Sequence, residues 1–259
     1  MKRRFFIYCA LLIFGVLPSM MGADTRPHIV FMVGESEYNT KTTLPAFAKK
    51  ELPGIHCTFA ITPSDTSNEF PGLEALRDAD LLFISVRRRT PSKENMALIR
   101  KHIADGKPVV GIRTASHAFA LRGKDVTVPE GHADWPTFDQ DVLGGNYHDH
   151  YGKGIKTFAK VVPASAKHPV LVGIPTTEFE VPSHLYKNPD LPSDLTILLT
   201  ARMEGRPEVE PIAWVNTAQN RRVFYTSLGS PEDFELPEFR RLLRNGIYWA
   251  LKKEPTAAK

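Results

Sequence analysis

Val109-Val110-Gly111-Ile112-Arg113-Thr114-Ala115-Ser116-His117-Ala118-Phe119 sets the architecture of everything around it. A short apolar run that ends in Gly-Ile and gives way to small polar residues reads as a buried parallel strand turning sharply into a helix. In open α/β sheets the ligand crevice lies beyond the carboxyl ends of the strands, where helix N-termini present unpaired N–H groups. Arg113 to His117 is therefore expected to face whatever the protein binds.

Upstream, strand and helix patterns alternate. His28 to Val33 is a continuous apolar run, and Thr43 to Leu52 carries apolar residues at helical spacing. Ile55 to Ile61 alternates like a strand at or near an edge, Gly72 to Arg77 reads as a short helix, and Asp80 to Val86 as another buried strand. Ser92 is placed to cap a helix running through Met96, Ile99 and Ile103. This alternation predicts an α/β fold with a mainly parallel central sheet covered on both faces. Residues 121 to 155 break the pattern with Gly, His, Asp and aromatic residues, and irregular segments of this length are more often functional than idle. Strand character returns at Thr157 to Val162, Thr177 to Val181, Leu195 to Ala201, Pro211 to Val215 and Val223 to Ser227, predicted as antiparallel or mixed additions. Pro237 to Leu251 has the pattern of a closing helix.

Lys2-Arg3-Arg4, an apolar run from Phe5 to Leu17 and small residues up to Ala23 form the three-part pattern of a secretory signal peptide. The expectation is a cleaved segment 1–23 and one domain over 24–259, exported to the periplasm or beyond, with no stable membrane anchor after cleavage. Removing that segment takes away three of the 33 basic residues and none of the 29 acidic ones, so the formal charge falls from +4 to +1. No nucleic-acid footprint remains. Cys57 is then alone, and a lone thiol flanked by apolar residues reads as core.

Four groups follow the carboxyl ends of expected parallel strands: Glu35-Ser36-Glu37-Tyr38, Arg87-Arg88-Arg89, Arg113 to His117, and the residues after Leu199, including Arg202 and Glu204. The arginines are either a solvated loop or one wall of a site. His148-Asp149-His150 places two imidazoles on one face if extended, so His148 and His150 read either as ligands of a divalent metal such as zinc or as hydrogen-bonding groups in a polar pocket. Trp135, Phe138 and Tyr147 would suit a sugar face or simply pack beneath the loop. Gly34 is followed by Glu35 rather than by a glycine-rich loop, which disfavours phosphate binding.

The stretch from Gly111 to Phe119, together with Val142-Leu143-Gly144-Gly145-Asn146-Tyr147, His168-Pro169-Val170, Val223 to Gly229 and Arg240 to Ala250, resembles the ThuA-like (trehalose utilisation) family over about residues 28 to 251. The resemblance implies a class I glutamine amidotransferase-like fold, a flavodoxin-like three-layer α/β/α sandwich. Glutamine amidotransferases carry Gly-x-Cys-x-Gly-x-Gln at this elbow. Here Arg113 stands at the cysteine position and His117 at the glutamine, and a guanidinium has no lone pair with which to attack a carbonyl. Many family members have a histidine after Ser-Leu-Gly; Ser230 occupies that place here. The resemblance points to a sugar ligand, a disaccharide or its 3-keto form, in carbohydrate utilisation. Such a protein is either a sugar-active hydrolase, lyase or isomerase or a non-catalytic carbohydrate-binding protein. The expected arrangement puts Arg113, His117, His148 and Glu35 in catalytic roles, with His117 or His148 as base and Arg113 as oxyanion partner. Glu37, Tyr38, Arg87, Arg88, Trp135 and Tyr147 are expected to hold the substrate.

Overall fold

The computed structural model describes residues 24–123 and 126–254; the expected signal segment 1–23 lies outside the described residues. In chain order the strands are β1 (His28–Gly34), β2 (His56–Ile61), β3 (Leu81–Val86), β4 (Val109–Ile112), β5 (Asp149–His150), β6 (Thr157–Val161), β7 (Phe179–Val181), β8 (Tyr186–Lys187), β9 (Thr196–Met203), β10 (Val209–Asn216) and β11 (Val223–Thr226). Three α-helices are found among the described residues: α1 (Thr40–Glu51), α2 (Lys93–Ala104) and α3 (Pro237–Ala250). Nine strands form one sheet in the order β2-β1-β3-β4-β11-β10-β9-β6-β7, and β5 pairs with β8 apart from it. The first five are mutually parallel and the rest antiparallel to their neighbours.

Alternation along β1 shows why both faces had to be covered. Ile29, Phe31 and Val33 point into a core shared with α1 and α3, whereas Val30 and Met32 join the core beneath α2. All five are at most 1% exposed, so the strand reads as an unbroken apolar run. Helix α2 begins at Ser92, whose hydroxyl accepts from the Asn95 N–H at 3.2 Å as its sequence suggested. Helix α3 lies close enough to β11 that a Cβ on Gly246 would stand 2.3 Å from the Phe224 ring.

Two expectations need correction. The turn after β4 does not lead into an α-helix; Arg113–His117 is a short 3-10 turn. The carbonyls of His117 and Ala118, which a continuing helix would use, instead accept from the amides of Arg88 and Arg89 at 3.0 and 2.8 Å. The last predicted strand, β11, is not an outlying addition. It pairs parallel with β4, in register Phe224 to Val110, and completes the central sheet. The parallel order 2-1-3-4 followed by β11 reverses between β1 and β3, which is where a doubly wound sheet opens its crevice.

Candidate functional site

A cavity of about 240 Å³ lies at that reversal. Glu37 and Tyr38 reach it from the end of β1, Arg87 and Arg88 from the end of β3, and His117 from the turn after β4. The long irregular segment supplies Arg122, Tyr147, His150 and Lys153. His184 and Tyr186 close it from the chain that returns after β7. A second lobe of about 310 Å³ shares Glu37, Tyr38, Lys153 and His184 and extends to Pro182, Ser230 and Glu232.

Aromatic rings make the walls. His117 stacks on Tyr147 with centroids 4.4 Å apart and planes 24° apart, and Tyr147 meets Tyr186 at 4.6 Å. The two-residue pairing of β5 with β8 sets His150 opposite Tyr186, and the His150 and His184 rings meet edge to face at 4.9 Å. Tyr147 is fixed from below. Its amide donates to Asp139 Oδ2 at 2.8 Å, and Asp139 sits in a π-helical turn, Asp139–Leu143, of the kind that often accompanies sites. A Cβ on Gly145 would fall 2.2 Å from Asp139 Oδ1, so only glycine lets that loop close over the carboxyl. Burial pushes the Asp139 carboxyl up to about 7, against the pull of the Tyr147 amide.

The field in the cavity is positive. Arg87, Arg88, Arg122 and Lys153 face one carboxylate, Glu37, which pairs with Arg87 at 3.0 Å. Arg88 has φ 50, a left-handed conformation costly for a side chain with a Cβ, and donates from Nη1 to the Ala120 carbonyl at 2.9 Å. His117 is 6% exposed, and its imidazole is pushed down to about 2, first by burial and then by Arg88, Arg87, Arg113 and Arg122. Burial and then Arg113 hold His184 down at about 3. Both rings are neutral at any physiological pH. His150 is exposed, and its Nδ1 lies 2.9 Å from the Tyr151 carbonyl, a contact in which the Nδ1–H donates.

Arg113 belongs to the floor, not to the cavity, which corrects its expected oxyanion role. It is fully buried. Nη1 donates to the carbonyls of Ser227 and His184 at 2.6 and 3.0 Å, and Nη2 lies 2.9 Å from His184 Nδ1. The guanidinium carbon stands 4.7 Å from the centre of the Tyr38 ring and 4.4 Å from that of Tyr186. At φ 47 it occupies the strained elbow position, but its terminal nitrogens end on protein, with Nε buried and unpartnered. Glu35 needs the same correction. Its Oε2 accepts from the amides of Glu37 and Tyr38 at 2.7 and 2.6 Å, and its Oε1 from the Thr40 amide and hydroxyl at 2.8 and 2.5 Å. It organises the loop and the start of α1 and has no oxygen left over for a substrate.

Other expected residues lie elsewhere. Trp135 packs on Phe138, bonds Asp141 Oδ2 through its indole at 2.7 Å and carries the Arg100 guanidinium 3.9 Å above its ring. It does not line the cavity. Arg202 lies within β9, three strands from β4, and pairs with Glu178 at 2.7 Å. Arg89 turns away to the Asp65 carbonyl. His148 is exposed and outside the cavity, because the β5–β8 ladder is only two residues long and the alternation does not reach it. No three His, Cys, Asp or Glu side chains among the described residues are grouped to hold a metal ion, and His184 already faces Arg113 through its ring nitrogens. The pair His148 and His150 therefore does not fit a zinc site. Cys57 sits in the edge strand β2, its thiol pushed up to about 11 by burial.

His184, Tyr186, Arg122 and Lys153 line the cavity without having been read as site residues. His184 and Tyr186 follow the short strand β7, and nothing local marks them; only the return of the chain over the sheet brings them to Arg113. Ser230, at the place of the family histidine, bonds Ser183 Oγ at 2.5 Å, and its amide donates to Asp233 Oδ2 at 2.9 Å.

The family model described as ThuA, trehalose utilisation, matches residues 29–250. No curated protein matches the sequence. Among solved structures, a thua-like protein from Bacteroides uniformis ATCC 8492 superposes with a TM-score of 0.61 at 18% identity, covering 90% of this chain and 95% of its own. One from Parabacteroides merdae ATCC 43184 gives 0.60 at 16%, covering 90% and 92%. The carbohydrate deacetylase Agd3 gives 0.58 at 12%, covering 88% of this chain but 32% of Agd3. At these identities the likeness establishes the fold alone.

Proposed function

The chain belongs to the ThuA (trehalose utilisation) family, which gives it a carbohydrate-related role in general, and on that premise we propose that it is an exported protein that binds and acts on a sugar in the crevice between β1 and β3. The observation that carries this reading is the wall of stacked rings, Tyr147, Tyr186 and His117, beside Arg88, Arg122 and Lys153, which have no carboxylate partner among the described residues. Aromatic faces take the apolar face of a sugar ring, while donors at the rim take its hydroxyls. The two lobes offer adjoining places for a disaccharide or a 3-keto-glycoside.

For a keto-sugar the chemistry needs a base and a cation. His150 Nε2 takes the proton from the carbon beside the ketone, and the electron pair passes to the carbonyl oxygen, whose charge Arg88 and Arg87 stabilise. Collapse of that enolate expels the glycosidic oxygen from the β carbon, and the departing alkoxide takes a proton from solvent. His117 and His184 are too acidic as imidazolium to act as the base, so their part is hydrogen bonding. Glutamine hydrolysis is no part of this reading, since a buried guanidinium stands at the elbow.

The test is turnover of a panel of glycosides and 3-keto-glycosides by the protein lacking residues 1–23, with calorimetric titration alongside. Cleavage of a 3-keto-glycoside that falls at least tenfold in His150→Gln supports the enzyme. Binding without turnover across the panel replaces it with a carbohydrate-binding protein, a second reading that the two neutral imidazoles favour. Binding of no sugar rejects both.

A further inference from the structure

We propose that the sugar taken by this cleft is an acid, carrying a carboxylate that docks between Arg88 and Arg122. The inference rests on the sugar reading above and names its substrate class. Around the cavity of about 240 Å³ stand four cationic side chains, and the one carboxylate that faces them, Glu37, is taken by Arg87 at 3.0 Å. Among the described residues no carboxylate lies within ion-pair distance of Arg88, Arg122 or Lys153.

Some arginines outside the cleft find acids. Arg202 pairs with Glu178 and Arg240 with Glu51. In the cleft Arg88 has the opposite arrangement: it is half-buried, held in a left-handed backbone conformation, anchored by Nη1 to a carbonyl, and its Nη2 has no partner among the described residues. Partial burial of like charges is unfavourable unless a counter-charge arrives, so the cleft is set for an anion. Burial first, and then the cations around it, hold the His117 imidazole down at about 2, so that ring adds no further positive charge to the cleft.

A planar carboxylate suits these groups better than a phosphate. Arg88 offers its free Nη2 and Arg122 an exposed guanidinium, and planar N–H donors of this kind match the oxygens of a carboxylate. No glycine-rich loop follows β1, and the amides of Glu37, Tyr38 and Thr40 already end on Glu35, so backbone N–H groups of that turn are not offered to a tetrahedral anion.

The experiment is titration calorimetry on the protein lacking residues 1–23 with glucose, glucuronate, glucose 6-phosphate and acetate, at 20 and 300 mM sodium chloride. Glucuronate is expected to bind at least tenfold tighter than glucose at low salt, and the preference should shrink at high salt. Arg88→Gln and, independently, Arg122→Gln should each bring the glucuronate-to-glucose affinity ratio down at least fivefold, with the thermal midpoint recorded for both. Arg122 is exposed, so its variant keeps the test valid if the strained Arg88 position is sensitive. Equal affinity for glucuronate and glucose, or no binding of glucuronate, overturns the acid while leaving the sugar reading to its own panel. Tighter binding of glucose 6-phosphate than of glucuronate overturns the carboxylate. Acetate binding as tightly as glucuronate, with no glucose binding, overturns the sugar reading and this inference with it.

Discussion

Arg113 and Arg88 stand on neighbouring turns of one crevice, each after a parallel strand and each with a positive φ, yet they do opposite work. Arg113 lies beneath the floor, and its terminal nitrogens end on two carbonyls and an imidazole between two tyrosine rings. Arg88 lies above it, anchored by one nitrogen and open at the other. The difference teaches that the role of a buried cation is fixed by where its donors end. When protein acceptors satisfy them the residue is structural, and when they face a cavity it is available to a ligand.

The sharpest way to break this contrast is to remove each arginine in turn. Arg113→Ala should cost roughly 3 kcal/mol or more of stability, because it leaves the Ser227 and His184 carbonyls unpaired and opens a void between Tyr38 and Tyr186. Urea unfolding measures it, and a loss under about 1 kcal/mol would erase the distinction from Arg88, whose Gln variant should stay within about 1 kcal/mol of the parent. Next in size is Glu35→Gln, expected to cost about 2 kcal/mol, since an amide brings donors towards N–H groups that now share one carboxylate. Glycoside binding retained at reduced stability would confirm Glu35 as an organiser; loss of turnover without loss of stability would return it to the catalytic set.

Acidification acts on the buried histidines as well, two at the crevice and His102 on α2. Burial holds His117 and His102 down at about 2 and 4, and His184 at about 3, below the value an unfolded histidine has. In the window from pH 6.5 down to those values the unfolded chain binds more protons, so stability is full above about pH 6.5 and lost as pH falls, by at most about 1.4 kcal/mol per pH unit for each of His117 and His102. Asp139, raised to about 7 by burial, works the other way and recovers part of this between pH 7 and 4. Three groups against one make a net loss, seen as a lower urea midpoint at pH 5 than at pH 7, with a shallower slope in His117→Asn. An unchanged midpoint would show that these rings are not held neutral. The smallest effects belong to residues outside the crevice. His148→Ala should change stability by under about 0.5 kcal/mol, and Trp135→Ala should cost about 1 kcal/mol through its Asp141 bond and Arg100 contact. Neither should alter sugar binding.

Much of the crevice was legible residue by residue. Glu37, Tyr38, Arg87, Arg88 and His117 follow apolar runs whose length and Val/Ile content mark buried parallel strands, and a parallel sheet sends all such ends to one side. Arg202 misled because β9 does point its end to that side, but three strands along. Glu35 and Arg113 were placed on the right turns and given the wrong roles, since nothing in the order of residues tells a carboxylate facing a cavity from one capped by its own loop. His184 and Tyr186 left no local trace.

The sequence alone therefore determined the layers, the elbow and the side of the sheet where chemistry would gather, because strand and helix periods and turn residues act over a few positions. Only the tertiary structure decided which side chains share the cavity and which hold up its floor. That choice depends on contacts 71 residues apart, such as Arg113 with His184, and on whether each donor finds a protein acceptor, neither of which any local pattern records.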